Sequence, residues 1–411
     1  MKKLFIFFSL SSIVAQGISF DISGYISSKN LKESKDFKSL DYQVLNKAIY
    51  SGSDINICEK KPNQRLFEQK LKPLCLKDFM LDDDDTLEHL IELINKSNLV
   101  LLNIEDMYSN ELNTIIQNPT LVKPFVSSIK GLFEFIRLKN ISDVQRFGKT
   151  FSGVSVDWQP YANTWFFLYQ KNARQKLQNY LNFLEQIKFT LHAEVDITIP
   201  ARTNIIKKVE KIYPGFWKKL SRTVDTMNIN SYNYHNTLDI QKRTNYSSPL
   251  FPDQKQTSQI SQKNSENIFK TTKAYIRYGV SPGKLVITIP TFGYVYHEVP
   301  FLNNGLYQTF SNENISKMDL IEKLQYKNLV SKNNIFWKIE NNTRVGQAIA
   351  YNKSTKEFLT IDTPKTIREK IIFIKNNNLK GIIFLNVGGD ISKLSLFYNE
   401  KSLVKAAVNE L

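Results

Sequence analysis

The residues best placed to do chemistry lie in the stretch 151–160, which reads Phe-Ser-Gly-Val-Ser-Val-Asp-Trp-Gln-Pro. Alternate side chains of a strand share one face, so Ser155, Asp157 and Gln159 point together. Asp157 offers a carboxylate that can accept hydrogen bonds, orient a substrate or take a proton. The Gln159 amide donates hydrogen bonds but carries no proton that it can transfer at ordinary pH. The set therefore favours recognition of a polar ligand over general acid catalysis.

Three other carboxylates, Glu105, Glu194 and Asp196, are candidates for the general acid that Gln159 cannot be. Glu105 shares a face with Asn103 at the end of a predicted strand, so its side chain would lie, like that of Asp157, at the carboxyl end of its strand. Glu194 and Asp196 share a face early in another strand and would lie well away from that end. For all three we favour a structural ion pair or hydrogen bond, because inward polar groups must be paired.

Short β-rich apolar runs alternate with longer segments of helical periodicity along the chain. This alternation predicts parallel βα units, and their number in one domain favours a closed (β/α)₈ TIM barrel, an α/β fold. The predicted strands are 22–26, 99–104, 153–156, 195–199, 227–230, 285–289 and 381–385, and the predicted helices include 86–96, 121–138 and 179–189. In such a barrel the site is expected at the carboxyl ends of the strands.

The segment 300–378 breaks this rhythm. Strand-like pieces at 348–350 and 358–361 are separated by polar, Asn-rich turns, which predicts a small α+β insertion before the last barrel strand. The predicted division is a barrel over 20–299 and 379–411, with the insertion over 300–378. A Ser-, Gln- and Lys-rich stretch at 247–263 predicts a mobile surface loop.

Several stretches, taken together and in order, resemble the family 18 glycoside hydrolases, the chitinases and their relatives. The stretch 151–160 is similar to the family pattern D-G-x-D-x-D-x-E: Gly153 and Asp157 match, while Gln159 stands in place of the proton-donating glutamate. The stretches 224–235, 278–293, and 358–370 with 379–384 are similar to the family's sixth strand, its seventh strand, and the end of its insertion with the eighth strand. The resemblance covers roughly residues 20–400 and implies a barrel with any sugar groove at its carboxyl-end face.

In that family the glutamate protonates the glycosidic oxygen, and the aspartate two residues before it orients the substrate's acetamido group, which attacks the anomeric carbon. The resemblance thus leaves the acid position to Gln159, which cannot supply a step that commonly contributes about 10²–10⁴-fold in rate. The aspartate of the sixth strand is replaced by Asn233, and Leu385 and Asn386 stand where the family has a tryptophan under the central sugar. The degenerate catalytic positions are Ser152, Ser155, Asp157 and Gln159, and the candidate sugar contacts are Asp157, Gln159, Tyr161, Tyr232, Asn233, Phe292 and Asn386.

The length of 411 residues suits one large domain or a barrel with an insertion. Residues 1–19 combine a basic start, a short apolar core and small residues, which is typical of a secretory signal peptide. We therefore expect a secreted or periplasmic protein with no integral membrane segment after removal of the signal. In an oxidising compartment Cys58 and Cys75 are expected to form one disulfide, and a pair of free thiols is the alternative.

The net charge is +16, from 55 Lys and Arg against 39 Asp and Glu. This balance favours acidic partners, but the cations are spread along the chain without a block, so we expect no nucleic-acid partner. The four histidines are scattered without metal-ligand spacing, and the sequence contains no Gly-rich phosphate loop. We therefore expect neither a metal nor a cofactor.

The leading interpretation is a secreted chitinase-like protein with a degenerate active site, which binds an N-acetylglucosamine-type glycan or a protein partner without hydrolysis. The first alternative is an active glycosidase, of the chitinase or N-acetylglucosaminidase type, with its acid moved to Glu105 or with a different substrate. The second alternative is an interaction or inhibitor scaffold with no sugar site. The sequence leaves the ligand and the oligomeric state open.

Overall fold

The structure is a computed structural model of the chain. It describes residues 20–52, 54–56, 75–77, 84–105, 111–141, 148–158, 166–236, 242–254, 266–311, 323–331 and 336–411. The predicted signal peptide over 1–19 and the residues Cys58, Gln159 and Tyr161 lie outside these ranges, so what the sequence predicts for them stays a prediction.

Eight parallel strands close into a barrel, which confirms the fold predicted from the βα alternation. In chain order the strands are β1 (Asp21–Ser27), β2 (Lys47–Ser51), β3 (Asp54–Asn56), β4 (Cys75–Lys77), β5 (Leu99–Glu105), β6 (Gly153–Asp157), β7 (Glu194–Ile199), β8 (Thr226–Ile229), β9 (Leu285–Pro290), β10 (Phe292–Tyr296), β11 (Lys323–Gln325), β12 (Trp337–Asn342), β13 (Gln347–Asn352), β14 (Glu357–Ile361) and β15 (Gly381–Leu385). The barrel order is β2-β1-β15-β9-β8-β7-β6-β5, and the parallel pairing of β2 with β5 closes the ring.

Helices cover the outside of the barrel. They are α1 (Ser28–Lys32), α2 (Ser34–Ser39), α3 (Asp84–Lys96), α4 (Glu111–Gln117), α5 (Pro119–Lys139), α6 (Ala173–Leu191), α7 (Thr203–Ile212), α8 (Phe216–Thr223), α9 (Ile268–Arg277), α10 (Tyr326–Ser331), α11 (Pro364–Asn376), α12 (Tyr398–Lys401) and α13 (Leu403–Val408). Four of them begin with a capping side chain. Before α5, for example, the Asn118 side chain accepts a hydrogen bond from the Thr120 backbone N–H at 3.1 Å, and Pro119 occupies the first helical position.

Each barrel strand turns one face to the helices and the other to the barrel axis. The outward side chains, such as Val154 and Val156 on β6, join one continuous core with the helices. The inward side chains form two groups. Tyr25, Ile49, Leu101, Val286 and Ile383 form a separate apolar cluster. The other buried inward residues are polar: Asn103, Ser155, Asp196, Thr198, Thr226 and Asn228 on β5 to β8, and Ser23, Lys47 and Thr288 on β1, β2 and β9.

A buried ion cluster lies at the amino-terminal end of the barrel. The Lys47 ammonium at the start of β2 lies 2.5 Å from the Glu194 carboxylate and 2.7 Å from the Asp196 carboxylate, both on β7. Burial alone would lower the pKa of Lys47, but attraction to Asp196 and Glu194 outweighs it and raises that pKa. The ion pair that the sequence analysis favoured for Glu194 and Asp196 is therefore what the structure contains.

The insertion is a five-stranded antiparallel sheet in the order β11-β10-β14-β13-β12. The strand-like pieces predicted at 348–350 and 358–361 lie inside β13 and β14. The sheet begins before residue 300, because β10 pairs with β11 and β14 rather than with a barrel strand. The sheet therefore rises directly from the carboxyl end of β9, at the mouth of the barrel.

Two further segments bear on the sequence predictions. The antiparallel pair β3 and β4 places Cys75 opposite Asn56, two residues before Cys58 in the sequence. The surface loop predicted for 247–263 is wrong over its first residues: Ser247 and Ser248 are buried, and the Ser248 backbone N–H donates to the Gln347 side chain at 2.7 Å. The segment is polar because it packs against the polar side chains of β13 and β14.

Candidate functional site

The residues singled out on β6 lie where the sequence analysis placed them. Ser155 is buried and faces the barrel interior, and Asp157 is partly exposed at the carboxyl end of the strand. Trp158 points the other way and packs on Tyr180 of α6, with ring centroids 4.4 Å apart. The alternation predicted for this stretch is therefore confirmed over its described residues, and it brings the Asp157 carboxylate to the mouth.

A second carboxylate lies beside Asp157. Glu105 ends β5, and the parallel register pairs it directly with Asp157 on β6. Its carboxylate accepts a hydrogen bond of 2.7 Å from the Ser51 hydroxyl at the end of β2. Paired inward positions on neighbouring strands have adjacent side chains, so two acidic groups meet at the mouth. Glu105 therefore lies beside Asp157 at the ends of neighbouring strands, and its role as a relocated acid stays a prediction.

Tyrosine hydroxyls surround this carboxylate pair. Tyr25, inward on β1, has its pKa raised by burial and further by the charge of Asp157, with a smaller contribution from Glu105. The pKa of Tyr232 is raised by burial first, and then by its neighbours Tyr294 and Asp157. Both phenols therefore stay protonated at neutral pH, so each can donate a hydrogen bond to an oxygen atom. The mouth combines carboxylate acceptors with neutral hydroxyl donors.

An aromatic wall connects the mouth to the insertion. The Phe292 ring stands edge-on to Tyr232, with centroids 6.1 Å apart, and edge-on to Tyr294 at 5.7 Å. The Lys323 ammonium lies 4.7 Å from the centroid of the Phe292 ring. Asn233 closes this side by accepting a hydrogen bond of 3.4 Å from the Tyr294 hydroxyl. The candidate contacts Tyr232, Asn233 and Phe292 are thus brought together.

Asn386 occupies the opposite side of the mouth, directly after β15. Its backbone is left-handed, with φ of 62°, and its carbonyl accepts a hydrogen bond of 2.6 Å from the Thr291 hydroxyl. Its side chain is partly buried, and its Oδ1 has no hydrogen-bond partner among the described residues. A small amide therefore stands at the position that the family resemblance gives to a large aromatic ring.

The sequence analysis did not single out Tyr25, Ser51 or Lys323 as residues of the site. Tyr25 carried a usable signal, because it is an inward residue near the carboxyl end of the first predicted strand. Ser51 ends a strand that the analysis did not predict, and Lys323 belongs to the insertion and reaches the mouth only through the pairing of β10 with β11. For these two residues no local pattern gives the position.

The described residues lack two features. Among these residues, no group of three or more His, Cys, Asp or Glu side chains is arranged to hold a metal ion. None of the described helices combines the length and the apolar composition needed to cross a bilayer.

Most of this chain is similar to known proteins. A family model described as glycosyl hydrolases family 18 matches residues 22–390. Chitinase A1 from Niallia circulans is 24% identical over 267 residues, which are 59% of this chain and 35% of that protein. Endochitinase 1 from Metarhizium anisopliae is 22% identical over 284 residues, covering 64% of this chain and 56% of that protein. The matches thus span about a third to somewhat over half of these relatives' lengths.

Solved structures show the same fold. Catalytic domain 2 of the Ostrinia furnacalis Group II chitinase aligns with a TM-score of 0.73 and 17% identity, over 95% of this chain and 96% of that one. The class V chitinase of Nicotiana tobaccum aligns with a TM-score of 0.67 and 16% identity, over 95% of this chain and 99% of that one. At these identities the likeness concerns the fold.

Proposed function

Since the chain belongs to family 18 of the glycosyl hydrolases, we propose that its barrel mouth binds a carbohydrate of the N-acetylglucosamine type without hydrolysing it. One observation carries this proposal. Asp157 stands at the carboxyl end of β6 with donors and aromatic rings around it, whereas the residue two positions further along is Gln159. The binding chemistry is thus present, and the side chain at the acid position cannot transfer a proton.

The geometry suits recognition of sugar hydroxyl and amide groups. Asp157 and Glu105 supply acceptors, and the protonated Tyr25 and Tyr232 supply donors. The partly exposed Phe292 ring offers an apolar surface against which a pyranose ring can pack. A small number of placed polar groups beside apolar rings is the usual composition of a ligand site.

A comparison with one neighbour supports binding without the acid. A glutamate-to-glutamine mutant of the Nicotiana tobaccum class V chitinase was crystallised in complex with NAG4. In that protein a glutamine in place of one glutamate is compatible with a bound oligosaccharide. We extend this to the present chain, in which Gln159 stands where the family pattern has its glutamate.

Calorimetric titration with chito-oligosaccharides tests the proposal. We expect binding that weakens about 10- to 100-fold in Asp157→Asn, because the carboxylate forms charge-assisted hydrogen bonds. Tyr232→Phe should weaken binding by a smaller factor, and Tyr169→Phe, an exposed tyrosine 72% accessible to solvent, is the matched control. Hydrolysis of the same oligosaccharides by the purified protein, abolished by Asp157→Ala, would overturn the proposal. A failure of every glycan to bind would favour the interaction scaffold instead, with a protein partner.

A second candidate function is favoured by the direct pairing of Glu105 with Asp157. The pairing brings a second carboxyl group to the mouth, and a positioned carboxyl group is a common general acid. Glu105 would then replace the missing acid in a working glycosidase. In that case Glu105→Gln abolishes hydrolysis and Gln159→Ala leaves it intact. Without that pattern the second candidate fails.

A further inference from the structure

A cavity of about 320 Å³ opens on the insertion sheet, away from the barrel mouth. The sheet leaves the barrel at Phe292 and reaches its far end at Tyr296, which pairs with Phe358. The cavity lies at this far end, because its walls include Phe336, next to the start of β12, and Asn352, at the end of β13. It is therefore separate from the candidate site described above.

Aromatic rings form the walls of this cavity. The Phe301 side chain is 48% exposed and that of Phe336 is 59% exposed, which is high for side chains of this type. Phe301 leans on the buried Tyr351 ring, with centroids 5.3 Å apart and an angle of 51° between the planes. Two exposed rings around a concave opening present the apolar surface that a ring-shaped ligand requires.

Two lysines, Lys338 and Lys353, also line this cavity. The Lys353 ammonium lies 4.1 Å from the centroid of the Phe301 ring, and among the described residues no carboxylate forms an ion pair with it. Lys338 pairs in register with Tyr351, which places its side chain on the same face of the sheet. Its partner Glu340, at 3.1 Å, also accepts two hydrogen bonds of 2.9 Å from Asn304. The cavity therefore carries two cations against one carboxylate that is already hydrogen-bonded.

We propose that this cavity is a binding site for an acidic saccharide, a sugar ring that bears a carboxylate or sulfate group. The sugar ring packs between Phe301 and Phe336, and its anionic group lies against Lys353 and Lys338. A neutral sugar would use the rings but leave Lys353 without a counter-charge, so charge complementarity favours the acidic class. The net charge of +16 adds a long-range attraction for the same ligands.

The test is calorimetric titration of the full chain with an oligogalacturonate and with neutral cellohexaose as the reference ligand. We expect binding of the acidic oligomer that weakens as salt rises and falls about tenfold in Phe336→Ala and in Lys353→Gln. Both side chains are exposed, so neither change should disturb folding, which circular dichroism verifies. Phe189→Ala, on a ring 74% exposed on α6, and Lys123→Gln, at an exposed position of α5, are the matched controls.

Each other outcome overturns the assignment. If cellohexaose binds as tightly as oligogalacturonate, the cavity does not select acidic saccharides. If the control variants lose as much affinity as Phe336→Ala and Lys353→Gln, the binding comes from the overall positive charge and not from this cavity. Binding to phosphatidylglycerol vesicles, but not to oligogalacturonate, would assign the rings and lysines to a membrane surface. Binding of chito-oligosaccharides at the barrel mouth should be unchanged in Phe336→Ala, so the two sites fail or succeed separately.

Discussion

Replacing Lys47 by Met removes the cation from the base of the barrel while keeping most of its volume. The side chains of Lys47 and Asp196 are only 4% and 1% exposed, so Asp196 loses its partner in a site that water hardly reaches. Glu194 is 20% exposed and recovers part of its hydration. Breaking a buried pair by removing one partner typically costs about 3–5 kcal/mol, and we expect the free energy of unfolding to fall by that amount at neutral pH.

The sign of the pH dependence follows from Asp196. In Lys47→Met the buried carboxyl has a folded-state pKa above its unfolded value, because burial penalises the charge. Its protonation stabilises the fold below the unfolded pKa, and that stabilisation is lost as the pH rises through the folded pKa. The deficit of the variant should therefore be larger at about pH 8 than at about pH 5. A second change, Asp196→Asn, should recover part of the loss and remove this pH dependence.

Urea unfolding followed by tryptophan fluorescence and by circular dichroism measures both effects. Lys96→Met is the matched control, because its ion pair with Glu92 on α3 is exposed, at 52% and 37% for the two side chains. An exposed pair of this kind contributes at most about 1 kcal/mol. A loss in Lys47→Met no larger than in the control, or one that does not change with pH, would refute the account of the buried cluster.

Three further predictions concern the stability of the fold that carries the two sites. Gly153→Ala should lower the free energy of unfolding by about 3 kcal/mol in urea unfolding, because an added Cβ would come within 2.0 Å of the Glu194 carbonyl oxygen on β7; an unchanged midpoint would contradict the close approach of β6 and β7. Lys370→Met should lower that free energy by about 3–5 kcal/mol, because the ammonium lies 2.6 Å from the fully buried Asp362 carboxylate; a thermal melt like that of wild type would contradict this. Asn386→Val should lower it by about 1–3 kcal/mol and Asn386→Gly much less, because φ is 62°; equal losses would show that the backbone conformation is not the cause.

The sequence predicts seven of the eight barrel strands. The predicted strands 99–104 and 285–289 lie within β5 and β9, because strands that are buried on both sides read as continuous apolar segments. The sequence analysis missed β2, which starts with the charged residue Lys47. The burial of that lysine depends on distant carboxylates, such as that of Glu194, which lies 147 positions further along the chain. A local pattern cannot contain this information.

The same distinction holds for the candidate site. Asp157 and Glu105 could be located from sequence because strand alternation fixes which face a side chain occupies, and the structure shows both at the mouth. Their pairing depends on the register of β5 with β6, which sequence periodicity does not determine. The contact of Lys323 with Phe292 depends on a sheet built from distant strands, so it became visible only in three dimensions.

The barrel interior itself argues against a pure scaffold. Among the described residues, the buried atoms Oδ1 of Asn103 and Nδ2 of Asn228 lack hydrogen-bond partners. A buried polar atom without a partner costs about 1–3 kcal/mol, so an apolar interior of the same shape would give a more stable barrel. A chain that used only its outer surface would gain by making that exchange. Most of the buried inward polar side chains lie on β5 to β8, and two of these strands also carry Asp157 and Glu105. Their cost is offset where a polar ligand and its water enter the mouth, which is why we place function there rather than on the outside of the barrel.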